Sequence, residues 1–220
     1  MENSLVVEIQ RRVKALPEMN VAALRAIRRE YSKQLTKSDA GSVLELALEL
    51  LKLPEFEFRF IAYELVQHHR QARERLDEAI LERLGEGMDS WVAVDCFASY
   101  LSGPAWRDGR IGNTVVRRWA RSPDRWWRRA AVVSTVPLNN QARGGSGDAA
   151  RTLTICNLVL DDRDDMVVKA LSWALRELAK RDATAVREFL SKSAGKLAPR
   201  VVREVGNKLE TGLKNPRKKN

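Results

Sequence analysis

Residues 168–178 read VKALSWALREL, and four other segments share this pattern of apolar residues three and four positions apart. They are FRFIAYELV (58–66), SWVAVDCFASYL (90–101), RRAAVVSTV (128–136) and VREVGNKLETG (202–212). This spacing places the apolar side chains on one face of an α-helix. The segments can be aligned on one equivalent position, which is held by Arg59, Trp91, Arg129, Lys169 and Arg203. Successive segments then lie 32, 38, 40 and 34 residues apart. Such a period indicates a repeat of helical hairpins.

The repeat predicts the fold class of the whole chain. We expect an all-α protein in which about six antiparallel helical pairs of HEAT or armadillo type stack into a curved solenoid. Residues 1–213 would form this single domain, and the basic segment 214–220 (KNPRKKN) is expected to be a mobile tail. Residues 139–147 (NNQARGGSG) are expected to connect two pairs flexibly, because they lack the Gly-Lys-Ser/Thr ending of a phosphate-binding loop. Periodicity, helix breakers and N-cap residues such as Asp39 and Asp182 predict helices over residues 3–16, 20–36, 39–52, 55–69, 71–84, 89–101, 107–121, 124–136, 147–160, 164–180, 182–194 and 197–212.

The charge of the chain favours a polyanionic partner. The net charge is +10, with residues 1–90 contributing −2 and residues 91–220 contributing +12. The densest basic cluster contains three interleaved tryptophans and comprises Arg117, Arg118, Arg121, Arg125, Arg128 and Arg129. Lysine and arginine neutralise phosphates and release counterions, so nucleic acid is the expected partner. A solvated basic surface is the alternative.

Several other classes of protein are not expected. No stretch approaches the roughly 20 apolar residues of a membrane span, and the N-terminus lacks the pattern of a signal peptide. We therefore expect a cytoplasmic, nucleoid-associated protein without a membrane partner. Cys96 and Cys156 stand alone and far apart, which predicts neither a disulfide framework nor a zinc site. We expect no cofactor and no metal.

Three segments carry a resemblance to a known family. DSWVAVD (89–95), WWRRAAV (126–132) and KALSWALRELAK (169–180) resemble, in order and spacing, the signature helices of the AlkD family of HEAT-like-repeat DNA glycosylases. The resemblance covers roughly residue 40 to the C-terminus, whereas residues 1–38 depart from the family pattern. It implies a curved solenoid that holds duplex DNA in its concave groove and hydrolyses the N-glycosidic bond of cationic 3- or 7-alkylated purines. We expect the protein to be a monomer. The matching site residues are Trp91, Asp95, Arg129 and Trp173.

The chemistry of these residues agrees with that reaction. A carboxylate such as Asp95 stabilises an oxocarbenium-like state and can orient a water. An alkylated purine is already cationic, so it leaves without a general acid, and indole rings favour a neighbouring cation. Arg129 is expected to hold a phosphate by paired hydrogen bonds, and no lysine is placed for a lyase step. Further DNA contacts are expected from Arg125, Arg128, Lys169, Arg203 and Lys208.

Each residue also has a structural interpretation. Asp95 can be a buried salt-bridge acid, and Trp91 and Trp173 can be core aromatics, as we expect for Trp126 and Trp127. The run Asp161, Asp162, Asp164 and Asp165 is better explained by a helix N-terminus than by a metal. In the divergent first part, Arg25, Arg28 and Arg29 are either phosphate contacts or solvated, and Tyr31 is a candidate DNA-contacting aromatic. The alternative function is a noncatalytic helical-repeat protein that binds DNA or bridges proteins.

Overall fold

The computed structural model describes residues 2–216, with side chains from Ser4 onward, and every regular element in this range is a helix. The prediction of an all-α protein is confirmed. The chain divides into two compact units, Met1–Met88 and Asp89–Asn220. The curved solenoid of about six pairs and the single domain over residues 1–213 remain predictions. Of the predicted tail, residues 217–220 lie outside the described residues.

The first unit contains six α-helices within the described residues. They are α1 (Glu2–Lys14), α2 (Val21–Gln34), α3 (Ala40–Leu50), α4 (Phe56–His68), α5 (Arg70–Glu74) and α6 (Glu78–Gly85). Helix α4 packs against α2 and α3, and α3 also contacts α1. Asp39 caps α3 as predicted, by accepting hydrogen bonds from the backbone N–H groups of Gly41 and Ser42. The predicted helix 71–84 is divided: α5 ends at Glu74, and Asp77 caps α6 by accepting a hydrogen bond from the N–H of Ile80.

The second unit contains the three segments that carry the family resemblance. Its helices are α7 (Trp91–Phe97), α8 (Gly103–Arg107), α9 (Asn113–Ala120), α10 (Arg125–Val133), α11 (Val136–Asn139), α12 (Ala149–Leu158), α13 (Asp165–Leu178), α14 (Ala183–Lys192) and α15 (Pro199–Thr211). Helices α7, α10, α13 and α15 pack each against the next. Helices α9, α12 and α14 pack against α10, α13 and α15 respectively, and α9 also contacts α12. Within this unit, therefore, one layer contains α7, α10, α13 and α15.

A π-helical turn, Ala98–Ser102, joins α7 to α8 into one continuous helix. The N–H of Gly103 donates to the carbonyl of Ala98, five residues back, and Pro104 has no N–H to continue an α-helical ladder. A Cβ on Gly103 would lie 2.7 Å from the Ala98 carbonyl oxygen and 2.8 Å from that of Ser134. Only glycine fits this close approach to the backbone of α10. The predicted helix 107–121 is consequently wrong at its start, since residues 103–107 continue the preceding helix and α9 begins at Asn113.

The loop at residues 139–147 is held by hydrogen bonds, in contrast to the predicted flexible connection. The buried Asn139 amide donates to the Thr135 carbonyl and to Thr152 Oγ1, and its oxygen accepts from the N–H of Asp148. Gly145 N–H donates to the Asn140 carbonyl at 2.9 Å. A buried amide with three partners fixes both ends of the loop.

None of the helices within residues 2–216 has the length and apolar character needed to cross a membrane.

Candidate active site

The predicted site residues lie on successive helices of one layer in the second unit. Trp91 is the first residue of α7 and Asp95 lies one turn later, Arg129 lies on α10, and Trp173 lies on α13. Ser90 starts α7 by accepting a hydrogen bond from the N–H of Ala93. Packing of α7 on α10 and of α10 on α13 places the three signature segments side by side.

Asp95 and Arg129 form a bidentate ion pair between α7 and α10. Arg129 Nε donates to Asp95 Oδ1 at 3.0 Å, and Nη2 donates to Oδ2 at 2.9 Å. Arg129 Nη1 donates to the carbonyl of Met166 at the start of α13. Arg129 is 5% exposed, and the Asp95 side chain is 18% exposed. One arginine therefore links all three signature helices and fixes the carboxylate.

Burial raises the pKa of Asp95 above its ordinary value, and the hydrogen bonds and charge of Arg129 oppose that rise. Burial removes most of the water around the carboxylate, and the hydrogen bonds and charge of Arg129 compensate for only part of that loss. Its ionised form depends on the guanidinium, because a buried carboxylate without a cation is costly. Partly exposed carboxylates with a raised pKa are frequent at functional sites.

The two predicted indoles are not buried in the core. Trp91 is 54% exposed, which excludes the core interpretation for it. Trp173 is partly exposed on α13. Trp127, in contrast, packs against Phe97 and Trp119 with ring centroids 5.9 and 5.1 Å away, as predicted for a packing residue. An exposed indole one helical turn from a half-buried carboxylate is available to a ligand.

Three of the predicted DNA contacts have solvent-exposed charges. Arg125 stacks on Trp126 and lies 3.5 Å from Asp164, Lys169 pairs with Asp165 at 2.6 Å, and Arg203 is exposed on α15. Exposed ion pairs are worth little, so these side chains can exchange a carboxylate for a phosphate.

Two of the predicted DNA contacts are engaged internally. Arg128 donates to Asp162 Oδ2 at 2.7 Å and to the carbonyls of Ser122 and Pro123. Lys208 Nζ donates to the carbonyl of Gly212 at the C-terminus of α15. The bonds of Arg128 argue against it as a phosphate ligand. The bond of Lys208 is exposed, so its role as a DNA contact stays a prediction. Arg129 likewise directs its paired hydrogen bonds to Asp95, where the sequence predicted a phosphate.

The acidic run before α13 caps the helix and pairs with basic side chains. Asp164 accepts from the N–H of Met166, and Asp165 pairs with Lys169 and with Arg200 at 2.9 Å. Within residues 4–216 there is no group of histidine, cysteine, aspartate and glutamate that could hold a metal ion. Asp164 and Asp165 thus occupy the N-cap and the first turn of α13, where the helix dipole favours negative charge.

The first unit gives its candidate residues structural contacts. Arg25 and Arg28 both pair with the buried Glu64, at 2.9 and 3.0 Å. Arg28 is itself buried, so it is neither solvated nor free to bind a phosphate. Tyr31 is 2% exposed, which excludes it as a DNA-contacting aromatic. Arg29 is exposed, and both of its interpretations remain open.

These features define an all-helical protein with a positively charged region and a guanidinium-held carboxylate beside an exposed indole. A family model described as "DNA alkylation repair enzyme" matches residues 17–209, and the protein belongs to this family. The resemblance found in the sequence is thereby confirmed, and the match begins at residue 17, within the segment that was expected to depart from the family pattern. The family points to a repair enzyme with DNA as its partner. A search of the curated proteins finds no match.

Proposed function

We propose that the protein is a monofunctional DNA glycosylase that hydrolyses the N-glycosidic bond of cationic alkylated purines, such as 3-methyladenine and 7-methylguanine, in duplex DNA. The observation that carries this proposal is the half-buried Asp95 carboxylate, fixed by Arg129 one helical turn from the exposed Trp91. The family membership supports a role in alkylation repair.

Asp95 is the catalytic residue of the proposed reaction. The bond between C1′ and the purine nitrogen breaks, and the bonding electron pair leaves with the base, which thereby becomes neutral. The carboxylate stabilises the positive charge that develops on the sugar. A water adds to C1′, and Asp95 accepts the proton that it loses. Two fixed hydrogen bonds from Arg129 hold the carboxylate in place during this step.

The remaining residues bind and orient the substrate. An indole face near the cationic base or sugar contributes about 1–2 kcal/mol when desolvated, a role that we assign to Trp91 and Trp173. Arg125, Lys169 and Arg203 supply exposed charge for backbone phosphates. Three of the five N–H groups of a guanidinium are used in the Arg129 contacts with Asp95 and Met166. The two remaining N–H groups of Arg129 are the ones that a phosphate beside the lesion would accept hydrogen bonds from.

The ion pair also favours a second candidate function. Because Arg129 binds both Asp95 and the Met166 carbonyl, the pair could have a purely structural role, joining α7, α10 and α13 in a noncatalytic DNA-binding protein. The two candidates differ in turnover and not in binding.

The test compares wild type, Asp95→Asn and Asp161→Asn. Asp161 is an exposed acid of the same unit, so its variant controls for the loss of one negative charge. Release of free 7-methylguanine and 3-methyladenine from methylated duplex DNA is measured, with DNA binding at two salt concentrations in parallel. We expect Asp95→Asn to bind like wild type and to release base about 100-fold more slowly or worse, and Asp161→Asn to match wild type. If wild type releases no base while all three bind DNA in a salt-dependent way, the noncatalytic function is correct.

A further inference from the structure

A surface cavity of about 140 Å³ lies between α8, α9 and α12 of the second unit. Its polar lining comes from Asn113, Arg117, Arg151 and Thr154, and its apolar lining includes Trp106 and Ile155. The volume accommodates several waters, and therefore a group as large as a phosphate. No proposed site residue lies on α9 or α12.

The lining is preorganised around Trp106. Trp106 is 1% exposed, and its Nε1 donates to Asn113 Oδ1 at 2.9 Å. This bond fixes the orientation of the amide and leaves Nδ2, with two hydrogens, as its free end. Within the described residues Nδ2 donates to no protein group. Asn113 therefore contributes an oriented hydrogen-bond donor to the cavity.

Arg151 is held against the same indole. Its guanidinium carbon lies 5.1 Å from the centre of the Trp106 ring, and Nη1 donates to the Trp106 carbonyl at 2.8 Å. Asp148 accepts from Arg151 Nε and is the acidic partner of this residue. The guanidinium keeps further N–H groups for a ligand beyond these two bonds. Its position is fixed before any ligand arrives, which lowers the entropic cost of binding.

Arg117 gives the cavity a positive charge that no acidic residue of the lining balances. It is exposed on α9, and within residues 4–216 it makes no ion pair. The lining contains two arginines and no acidic residue. A guanidinium matches the oxygens of a phosphate in pairs. We propose that this cavity binds a phosphate group, through Arg117, Arg151 and the Asn113 amide.

The phosphate site is separate from the glycosylase site. Trp106 and Asp95 lie near opposite ends of the continuous helix α7–α8, eleven residues and thus roughly 16 Å apart along its axis. The inference therefore goes beyond the proposed function, and either can fail without the other.

Three variants test the proposal. Asn113→Asp keeps the oxygen that accepts from Trp106, but it replaces the amide donor with a charge that repels an anion. A negative charge in the first turn of α9 stabilises the helix through its dipole. The melting temperature of the Asn113→Asp variant should therefore equal or exceed that of wild type. Arg117→Gln removes the uncompensated charge. Arg121→Gln is the matched control, because Arg121 is exposed at the other end of α9 and does not line the cavity.

Binding is measured by titration calorimetry with inorganic phosphate and with undamaged duplex DNA, at constant ionic strength set by NaCl. We expect Asn113→Asp and Arg117→Gln to weaken binding of at least one probe about tenfold or more, and Arg121→Gln to change it little. A loss with inorganic phosphate assigns the site to a free phosphate or phosphomonoester, and a loss confined to duplex DNA assigns it to a backbone phosphodiester. The proposal is overturned if wild type binds neither probe saturably, if neither Asn113→Asp nor Arg117→Gln weakens the binding of either probe, or if Arg121→Gln weakens binding as much as Arg117→Gln.

Discussion

Replacing Arg129 with methionine keeps an unbranched side chain as far as the Nε position, and it removes the guanidinium, its charge and all three of its hydrogen bonds. The Asp95 carboxylate is then left largely buried without a cation, and the Met166 carbonyl loses its donor. Breaking a buried ion pair by removing one partner costs about 3–5 kcal/mol. The Asp95 side chain retains 18% exposure, which favours the lower end, about 3 kcal/mol. For a chain of this size that is a fall in melting temperature of about 6–12 °C.

The same variant has a pH dependence of defined sign. Burial raises the pKa of Asp95 already in wild type, and the loss of Arg129 removes the two interactions that oppose the rise. A carboxyl whose folded pKa is raised binds its proton more tightly in the folded state. It therefore destabilises the protein increasingly as pH rises from the unfolded pKa through the folded one. The deficit of Arg129→Met relative to wild type should be small near pH 4 and complete near pH 8.

The assay is thermal unfolding followed by circular dichroism at several pH values, for wild type, Arg129→Met, Asp95→Asn and the double variant. In the double variant no buried charge is stranded, so it should be more stable at pH 8 than Arg129→Met alone, a coupling that the double-mutant cycle measures. A melting temperature within 2 °C of wild type for Arg129→Met, or a deficit independent of pH, would refute the reasoning. Either result would mean that Asp95 regains its water when Arg129 is lost.

Three further predictions concern the indole, the close helix approach and the arginines of α10. Trp91→Ala should slow base release without lowering the melting temperature measurably, because the exposed ring contacts the ligand and does not pack in the core. A clear fall in the melting temperature would contradict this. Gly103→Ala should cost about 1–3 kcal/mol through overpacking against backbone, whereas Gly206→Ala, with open space around it, should gain about 0.5–1 kcal/mol in denaturant unfolding. Arg128→Ala should lower stability and leave the salt dependence of DNA binding unchanged, whereas Arg125→Ala should leave stability unchanged and reduce that salt dependence. A reduced salt dependence for Arg128→Ala would show that Arg128 is a phosphate ligand after all.

Local signals in the sequence predicted the helical class and many helix limits. Asp39 and Asp182 cap helices as predicted, because an N-cap acts on N–H groups only two or three residues away. The division at Asp77 was missed, since no glycine or proline marks it in RERLDEAI. The π-helical turn before Pro104 was also missed, because the ring excludes one hydrogen bond without dictating how the helix responds.

Partners in the site could not be predicted in the same way. The sequence placed Asp95, Arg129 and Trp91 among the candidates, but Arg129 lies 34 residues from the carboxylate that it holds. Only the packing of α7 on α10 brings them together. The engagement of Arg128 by Asp162, also 34 residues away, has the same origin. The pairing of Asp165 with Lys169 was within reach, since residues four apart on a helix are neighbours.

The π-helical turn determines which way the side chains that follow it point around the axis of the continuous helix α7–α8. One residue more than an α-helical turn requires rotates everything beyond Ser102 by about 100° relative to Asp95. Asp95 therefore faces α10 from one side of the axis, while Trp106 directs its indole to Asn113 and Arg151 on α9 and α12. A single-residue deletion within residues 98–102 would straighten this helix and turn one of the two faces away from its partners. The length of this five-residue turn is thus itself a constraint on how the chain can vary.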